Sequence, residues 1–281
     1  MPRRKLFLSE AKDGLTPHTL WTADEVGTND SAKKELIALF GGIEVFETPK
    51  PVGLIRRLLE IASDTDDVIL DFFAGSGVTG EAVFRLSVAE DSHRRFILVQ
   101  LPEPTVRDDY RTVSEITRER LRLAAKSVCS ASPLFDGDLG FRSFKLDSSN
   151  IRAWEPDREK IADSLEDAVE HLKTDRTEAD ILYELLLKLG LDLCVPIEKR
   201  TIAGKDVHAI GGGVLLACLA ETLTRDDVEP VALSMVDWHK ALAPAADTTC
   251  VFRDSAFADD VAKTNLAAIL EQHGLVNVRS L

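Results

Sequence analysis

Asp71, Thr79 and the glycines at 75, 77 and 80 are the residues whose types and spacing could do chemistry. Residues 67–80 read Asp-Val-Ile-Leu-Asp-Phe-Phe-Ala-Gly-Ser-Gly-Val-Thr-Gly. A carboxylate at the end of an apolar run puts an acceptor beside Gly75 and Gly77, where the backbone can approach a ligand that a Cβ would push away. A helix that starts just after such a turn offers N–H groups without intrahelical partners and the positive end of its dipole. The run 68–70 predicts a parallel strand buried on both faces, and residues 78–86 suit a helix. Strand, glycine turn, helix is the plan of a nucleotide-type cofactor site. Gly75 to Gly80 also reads as G-x-G-x-x-G, the dinucleotide fingerprint. Asp71 tips the reading, since a carboxylate faces the α-ammonium of an amino-acid-like ligand better than it faces a pyrophosphate. The plain alternative is a tight strand–helix turn with no ligand.

The elements that must position these residues lie on either side. Thr28 to Ser31 ends a loop in a helix cap, and a helix through 32–40 stops at Gly41-Gly42. His18 and Trp21 are taken as packing groups rather than base-stacking ones. Pro51 suits a first helical position. Leu54, Ile55, Leu58, Leu59 and Ala62 then make an apolar stripe, with Arg56, Arg57 and Glu60 facing out. After the glycine helix, residues 95–101 predict a second buried strand ending at Pro102-Glu103. An acidic residue there, about 20 residues past the turn, is placed to accept hydrogen bonds from ribose hydroxyls. Glu103 is that candidate, Gln100 an alternative hydrogen-bonding group, and an unrelated surface glutamate the competing explanation. A charged amphipathic helix over 112–125 follows, carrying Ile116, Arg118, Arg120, Leu121 and Ala124.

The stretch Asp71-Phe72-Phe73-Ala74-Gly75-Ser76-Gly77-Val78-Thr79 closely resembles the S-adenosylmethionine (AdoMet) motif of DNA amino-methyltransferases, usually written D-x-F-x-G-S-G-T-T. The resemblance extends along the chain in order. It takes in Trp21 to Asn29, Thr48-Pro49-Lys50-Pro51, Arg94 to Leu101, Gly140 to Asn150, and Phe252 to Phe257 with Lys263-Thr264-Asn265. That order is similar to the modification subunits of type III restriction-modification systems, adenine-N6 methyltransferases of the permuted class. The resemblance implies that Lys50, beside Pro51 and some twenty residues before the turn, holds the carboxylate of AdoMet's methionine moiety. The family's catalytic D-P-P-Y loop, which meets the target amine and stacks on a flipped base, has no counterpart, because the sequence contains no Pro-Pro pair. The expectation is therefore the C-terminal portion of a modification subunit, inactive alone. DNA would be engaged through the complete enzyme, with a second modification-subunit chain or a separately encoded catalytic half, and a restriction subunit as a further partner.

Composition sets bounds. At 281 residues, 44% apolar and 29% charged, the chain has enough length for a substantial core. No window approaches a membrane span, and no apolar core follows the basic start, so a cytoplasmic location is expected. Cys129, Cys194, Cys218 and Cys250 lack metal or disulfide spacing. The net charge of −14 is uneven: residues 1–130 hold 18 Lys+Arg against 21 Asp+Glu, whereas 131–281 hold 16 against 27. The acidic half is a poor match for phosphate backbones and a better one for protein contacts.

The expected fold is α/β: a partial Rossmann-like methyltransferase domain followed by a smaller α+β C-terminal domain. A lead segment spans 1–47, the AdoMet-binding half 48–130 and an assembly domain 131–281. In the last, a strand is predicted over 141–146 and helices over 158–173 and 179–188, the second closed by Gly190. A meander over 195–201, 206–210 and 214–220 turns at Ala203-Gly204 and bends at Gly211 to Gly213. A strand over 250–253, a helix over 263–272 and a terminal strand over 276–278 complete it. Asp254, Asp259 and Asp260 are read as surface and capping acids rather than a metal site. Two functions of different class follow. One is an AdoMet-dependent DNA adenine methyltransferase component, the other a non-catalytic assembly module with a relict cofactor site. A nicotinamide-dependent oxidoreductase is a third, without an identifiable proton-transfer residue.

Overall fold

A computed structural model of the chain describes residues 17–152 and 172–281. They form two compact units, Met1–Ser143 and Phe144–Leu281. The helix expected over 158–173 falls almost wholly outside the described residues. Among those described, no helix is long and apolar enough to cross a membrane.

In the first unit the order is α1 (Ala23–Val26), α2 (Asn29–Leu39), α3 (Val52–Ala62), β1 (Val68–Asp71), α4 (Val78–Glu90), β2 (Arg95–Leu98) and α5 (Val113–Ala131). Local chemistry sets the boundaries. The Thr28 hydroxyl accepts from the Ser31 N–H and starts α2, while Gly41 and Gly42, both at positive φ, end it. Pro51 is the cap of α3 rather than its first residue. Thr112 and Glu115 form a reciprocal capping box on α5. Gly77, at φ 82°, starts α4. That helix is buried along most of its length because α3 and α5 both pack on it.

β1 and β2 pair in parallel, Val68 opposite Arg95 and Asp71 opposite Leu98. One face of this ribbon, Ile69 and Phe96, packs on α3 and α4. The other face is open, which corrects the expectation of two strands buried on both sides. Val68 is 45% exposed, Leu70 58%, Ile97 54% and Val99 48%. Helices cover one face of the sheet here, and among the described residues of this unit nothing lies across the other. β2 is also shorter than expected. The chain leaves the ladder after Leu98, with the Val99 N–H donating to the Asp71 carbonyl and the Ala74 N–H to the Val99 carbonyl. Leu101 is exposed.

The strand expected over 141–146 does not form either. Phe141 joins the cluster of Phe84, Leu121 and Leu139, and the Phe144 ring meets Tyr183 edge-on at 4.8 Å. The alternating pattern there reflects ring anchors on an irregular segment, with no neighbouring strand to pair.

The second unit runs α6 (Glu178–Leu189), β3 (Ile197–Ile202), β4 (Lys205–Ile210), β5 (Leu215–Cys218), α7 (Arg225–Leu242), β6 (Thr249–Phe252), α8 (Asp260–Gln272), β7 (Asn277–Ser280). The strands form one sheet in sequence order, antiparallel from β3 to β5 and parallel from β5 to β7. Ala203 and Gly204, at φ 50° and 76°, make the tight β3–β4 turn, and Gly211 to Gly213 bend the chain from β4 to β5. Alternate residues serve two cores. Val207, Ala209, Leu216, Cys218, Cys250 and Phe252 pack under α7 and α8, whereas Ile210, Leu215, Ala217 and Val251 pack under α6. α7 has no counterpart in the sequence expectation. Its Pro230 reads as a helix breaker, but it stands exposed in the second turn, where the carbonyl it leaves unmatched can meet water.

Candidate cofactor site

The first unit brings Asp71, Gly75, Thr79, Gln100 and Glu103 to the carboxyl ends of its two parallel strands. Asp71 closes β1, and its carboxylate is engaged on both oxygens: Oδ2 accepts from the Thr79 hydroxyl at 2.6 Å and Oδ1 from the Phe73 N–H at 3.1 Å. Thr79, in the first turn of α4, thus ties strand end to helix start. A carboxylate has about four lone-pair sites, so two remain for a ligand. Gly75, at φ 54°, sits where a Cβ would find no atom closer than 3.8 Å, so its outer side is open. The ring it would touch is that of Phe46, in the segment leading to Lys50 and Pro51.

From the other strand, the Gln100 carboxamide oxygen accepts from the Gly75 N–H at 2.7 Å. Its Nε2 lies 3.2 Å from the Leu101 carbonyl and 3.5 Å from Glu103 Oε2. Gln100 therefore supports the turn, and Glu103, with its side chain exposed, is the freer acceptor of the two. Lys50 is exposed just ahead of α3, while Pro51 is buried and packs on Gly27. Phe72 and Phe73 project outward, 61% and 81% exposed, their centroids 5.0 Å apart. Ala74 and Ser76 are buried beneath the turn.

Sequence reasoning missed how firmly α5 holds this turn. The Thr117 hydroxyl donates to the Gly75 carbonyl at 2.6 Å. Arg120, 2% exposed, donates to Ser76 Oγ and to Glu81 Oε2, each at 2.7 Å. One signal was available. Arg120 falls on the apolar stripe of α5, between Ile116 and Ala124 at i±4, where a charge is out of place unless it has buried partners.

Two of the remaining acids are paired with cations. Asp259 caps α8 by accepting from the Ala262 N–H and pairs with Arg225, and Asp254 pairs with Lys263. Among the described residues no group of three His, Cys, Asp or Glu side chains is placed to hold a metal. Cys129 and Cys194 are exposed, whereas burial pushes the thiols of Cys218 and Cys250 up to about 11 and about 12.

Residues 3–106 match the family described as DNA methylase, the N6 and N4 methyltransferases. The StyLTI Mod subunit of a type III restriction-modification enzyme from Salmonella typhimurium is 36% identical over 152 residues, 52% of this chain and 23% of that protein. The EcoP15I Mod subunit of Escherichia coli is 30% identical over 76% of this chain and 32% of its own length. For the EcoPI Mod subunit of Escherichia phage P1 the figures are 29%, 81% and 35%. The chain spans about a quarter to a third of the length of these curated relatives. With a glycine turn between parallel strand and helix, and likeness along most of its length, the chain is similar to the modification subunits of type III restriction-modification enzymes.

Proposed function

We propose that the first unit binds AdoMet at the Gly75–Gly77 turn and forms the cofactor half of an adenine-N6 DNA methyltransferase. It would be a partial Rossmann-like domain, serving a type III restriction-modification system, with the second unit as a smaller α+β assembly domain. The observation that carries this is the convergence of Asp71, Gly75, Thr79, Gln100 and Glu103 at the ends of two adjacent parallel strands, the place where open α/β sheets take ligands. The residue types fit the cofactor. Asp71 would accept from the methionine ammonium, Glu103 from the ribose hydroxyls, and Lys50 would pair with the carboxylate. Phe72 and Phe73 offer an apolar wall at the mouth. AdoMet would supply an electrophilic methyl group, and these residues would bind and orient it.

The target amine needs a D-P-P-Y loop, which these 281 residues do not contain, so another polypeptide segment supplies the base pocket and most DNA contacts. The open face of Val68, Leu70, Ile97 and Val99 is of the right chemistry for that segment to pack on. A second modification chain and a restriction subunit are the expected partners, and the acidic second unit suits protein contact better than DNA. The other reading, an assembly module with a relict site, draws on the same lack of a catalytic loop.

Calorimetric titration of the purified chain with AdoMet, with Asp71→Ala as control, separates the two. Saturable binding that the substitution abolishes is expected, with methyl transfer to DNA only after a D-P-P-Y-bearing polypeptide is added. A folded chain that takes up no AdoMet would refute the cofactor reading and favour the assembly module.

A further inference from the structure

Beneath the glycine turn lies a buried ion pair that stability alone does not explain. Arg120 and Glu81 are each 2% exposed, and Arg120 Nε donates to Glu81 Oε2 at 2.7 Å. Removing two charges from water is costly, and apolar residues of similar volume in their place are often neutral or stabilising. The guanidinium has a second use. Its Nη1 donates at 2.7 Å to the hydroxyl of Ser76, which stands 3% exposed between two glycines of positive φ.

The other tethers of the turn act on its backbone. Gly75 is held at its N–H by Gln100 and at its carbonyl by Thr117, and the Gly77 N–H closes onto the Ala74 carbonyl at 2.8 Å. Ser76 is the one residue of the turn with a polar side chain, and that side chain points inward to α5. Glycines on both sides give its peptide planes wide rotational freedom. A ligand read by backbone N–H groups needs those planes fixed before it arrives. One planar guanidinium reaching acceptors on two elements, Glu81 on α4 and Ser76 on the turn, supplies such a brace, which a lysine ammonium cannot copy. Glu81 keeps the fork in place. Its other oxygen takes Arg85 at 2.7 Å, whose side chain is about half exposed and can return to water.

We propose that Arg120 is a positioning residue for the cofactor turn, acting through Ser76 with Glu81 as its anchor. This rests on the AdoMet reading of that turn. Arg120 touches no ligand; it holds the side chain that lies between the two tethered peptides.

The test uses the full chain, with AdoMet titration read beside urea unfolding. Arg120→Met/Glu81→Leu is expected to unfold at or above the wild-type midpoint yet bind AdoMet about tenfold more weakly, the equivalent of one lost hydrogen bond. Ser76→Ala should lose a similar factor. The triple variant should lose no more than the larger of the two, because both changes cut one contact. If the apolar pair fails to fold, Arg120→Lys takes its place, keeping the charge near Glu81 without the fork, and the same loss is expected. Wild-type affinity in the pair variant or in Arg120→Lys overturns the proposal, as does a triple variant whose loss is the product of the separate losses. In those cases the AdoMet reading stands. A folded wild-type chain that binds no AdoMet removes both.

Discussion

Gly75 and Gly77 both have positive φ, yet alanine should cost very different amounts at the two positions. At Gly77 a Cβ would lie 2.9 Å from Thr117 Cγ2 and 3.3 Å from the Thr117 carbonyl oxygen, whereas at Gly75 the nearest atom is 3.8 Å away. A left-handed backbone costs a non-glycine residue about 1–2 kcal/mol, and forcing a methyl into packed surroundings adds about 1–3 kcal/mol. Gly75→Ala should therefore lose about 1–2 kcal/mol and Gly77→Ala about 2–5 kcal/mol. Amide hydrogen exchange over α4 and α5 reads the first unit separately from the second. Thr117→Ser supplies the internal check. It removes the colliding methyl but keeps the hydroxyl that donates to the Gly75 carbonyl. In that background Gly77→Ala should cost about 1–2 kcal/mol less, a coupling that only direct contact produces. Equal costs for the two glycines, or no coupling with Thr117, would show that α5 does not press on the turn as described.

Three further outcomes are expected. Thr112→Ala removes the side-chain acceptor for the Glu115 N–H at the start of α5 and should cost about 1 kcal/mol by thermal unfolding, with Thr112→Ser restoring it. Leu216→Ala, at a fully buried position of β5, should cost about 2–5 kcal/mol in urea unfolding of the second unit; a loss below about 1 kcal/mol would contradict the packing. The Cys218 and Cys250 thiols, raised by burial from 9.0 to about 11 and about 12, keep their protons where the unfolded chain loses them. Their contribution to stability is full below about pH 9 and falls as pH rises toward those folded values. Unfolding midpoints across that window, with alkylation confined to Cys129 and Cys194 in the native chain, check both points.

How much of this could be read from sequence differs between the units for physical reasons. In the second unit the β3–β5 meander was legible because strand alternation, the Ala203-Gly204 turn and the glycine bend all act over short distances. α7 was hidden by Pro230, since a sequence does not reveal that the proline stands exposed in the second turn of a helix. In the first unit the turn was legible because its glycines, Asp71 and Thr79 are contiguous. The brace from α5 was not, because Ser76 and Arg120 lie 44 residues apart and Thr117 meets Gly75 across 42. A buried arginine shows in sequence only as a charge on the wrong side of a helix.

The open face of β1–β2 marks where patterning and structure part most clearly. Val68-Ile69-Leu70 is apolar at every position, the pattern of a strand covered on both sides, and Ile97, Val99 and Leu101 are apolar at every second residue from β2 onward. Helices α3 and α4 cover Ile69 and Phe96, while Val68, Leu70, Ile97, Val99 and Leu101 meet solvent. Were that face built for water, substitutions to threonine would be free, and nothing would favour branched aliphatics at so many of its positions. The composition matches burial under a second layer. A layer docking there would cover the apolar face. Leu70→Thr should then change the stability of the isolated chain by no more than about 0.5 kcal/mol while weakening capture of a D-P-P-Y-bearing segment. A large loss of stability in the isolated chain would mean that the face is already covered in solution, and the docking argument would fail.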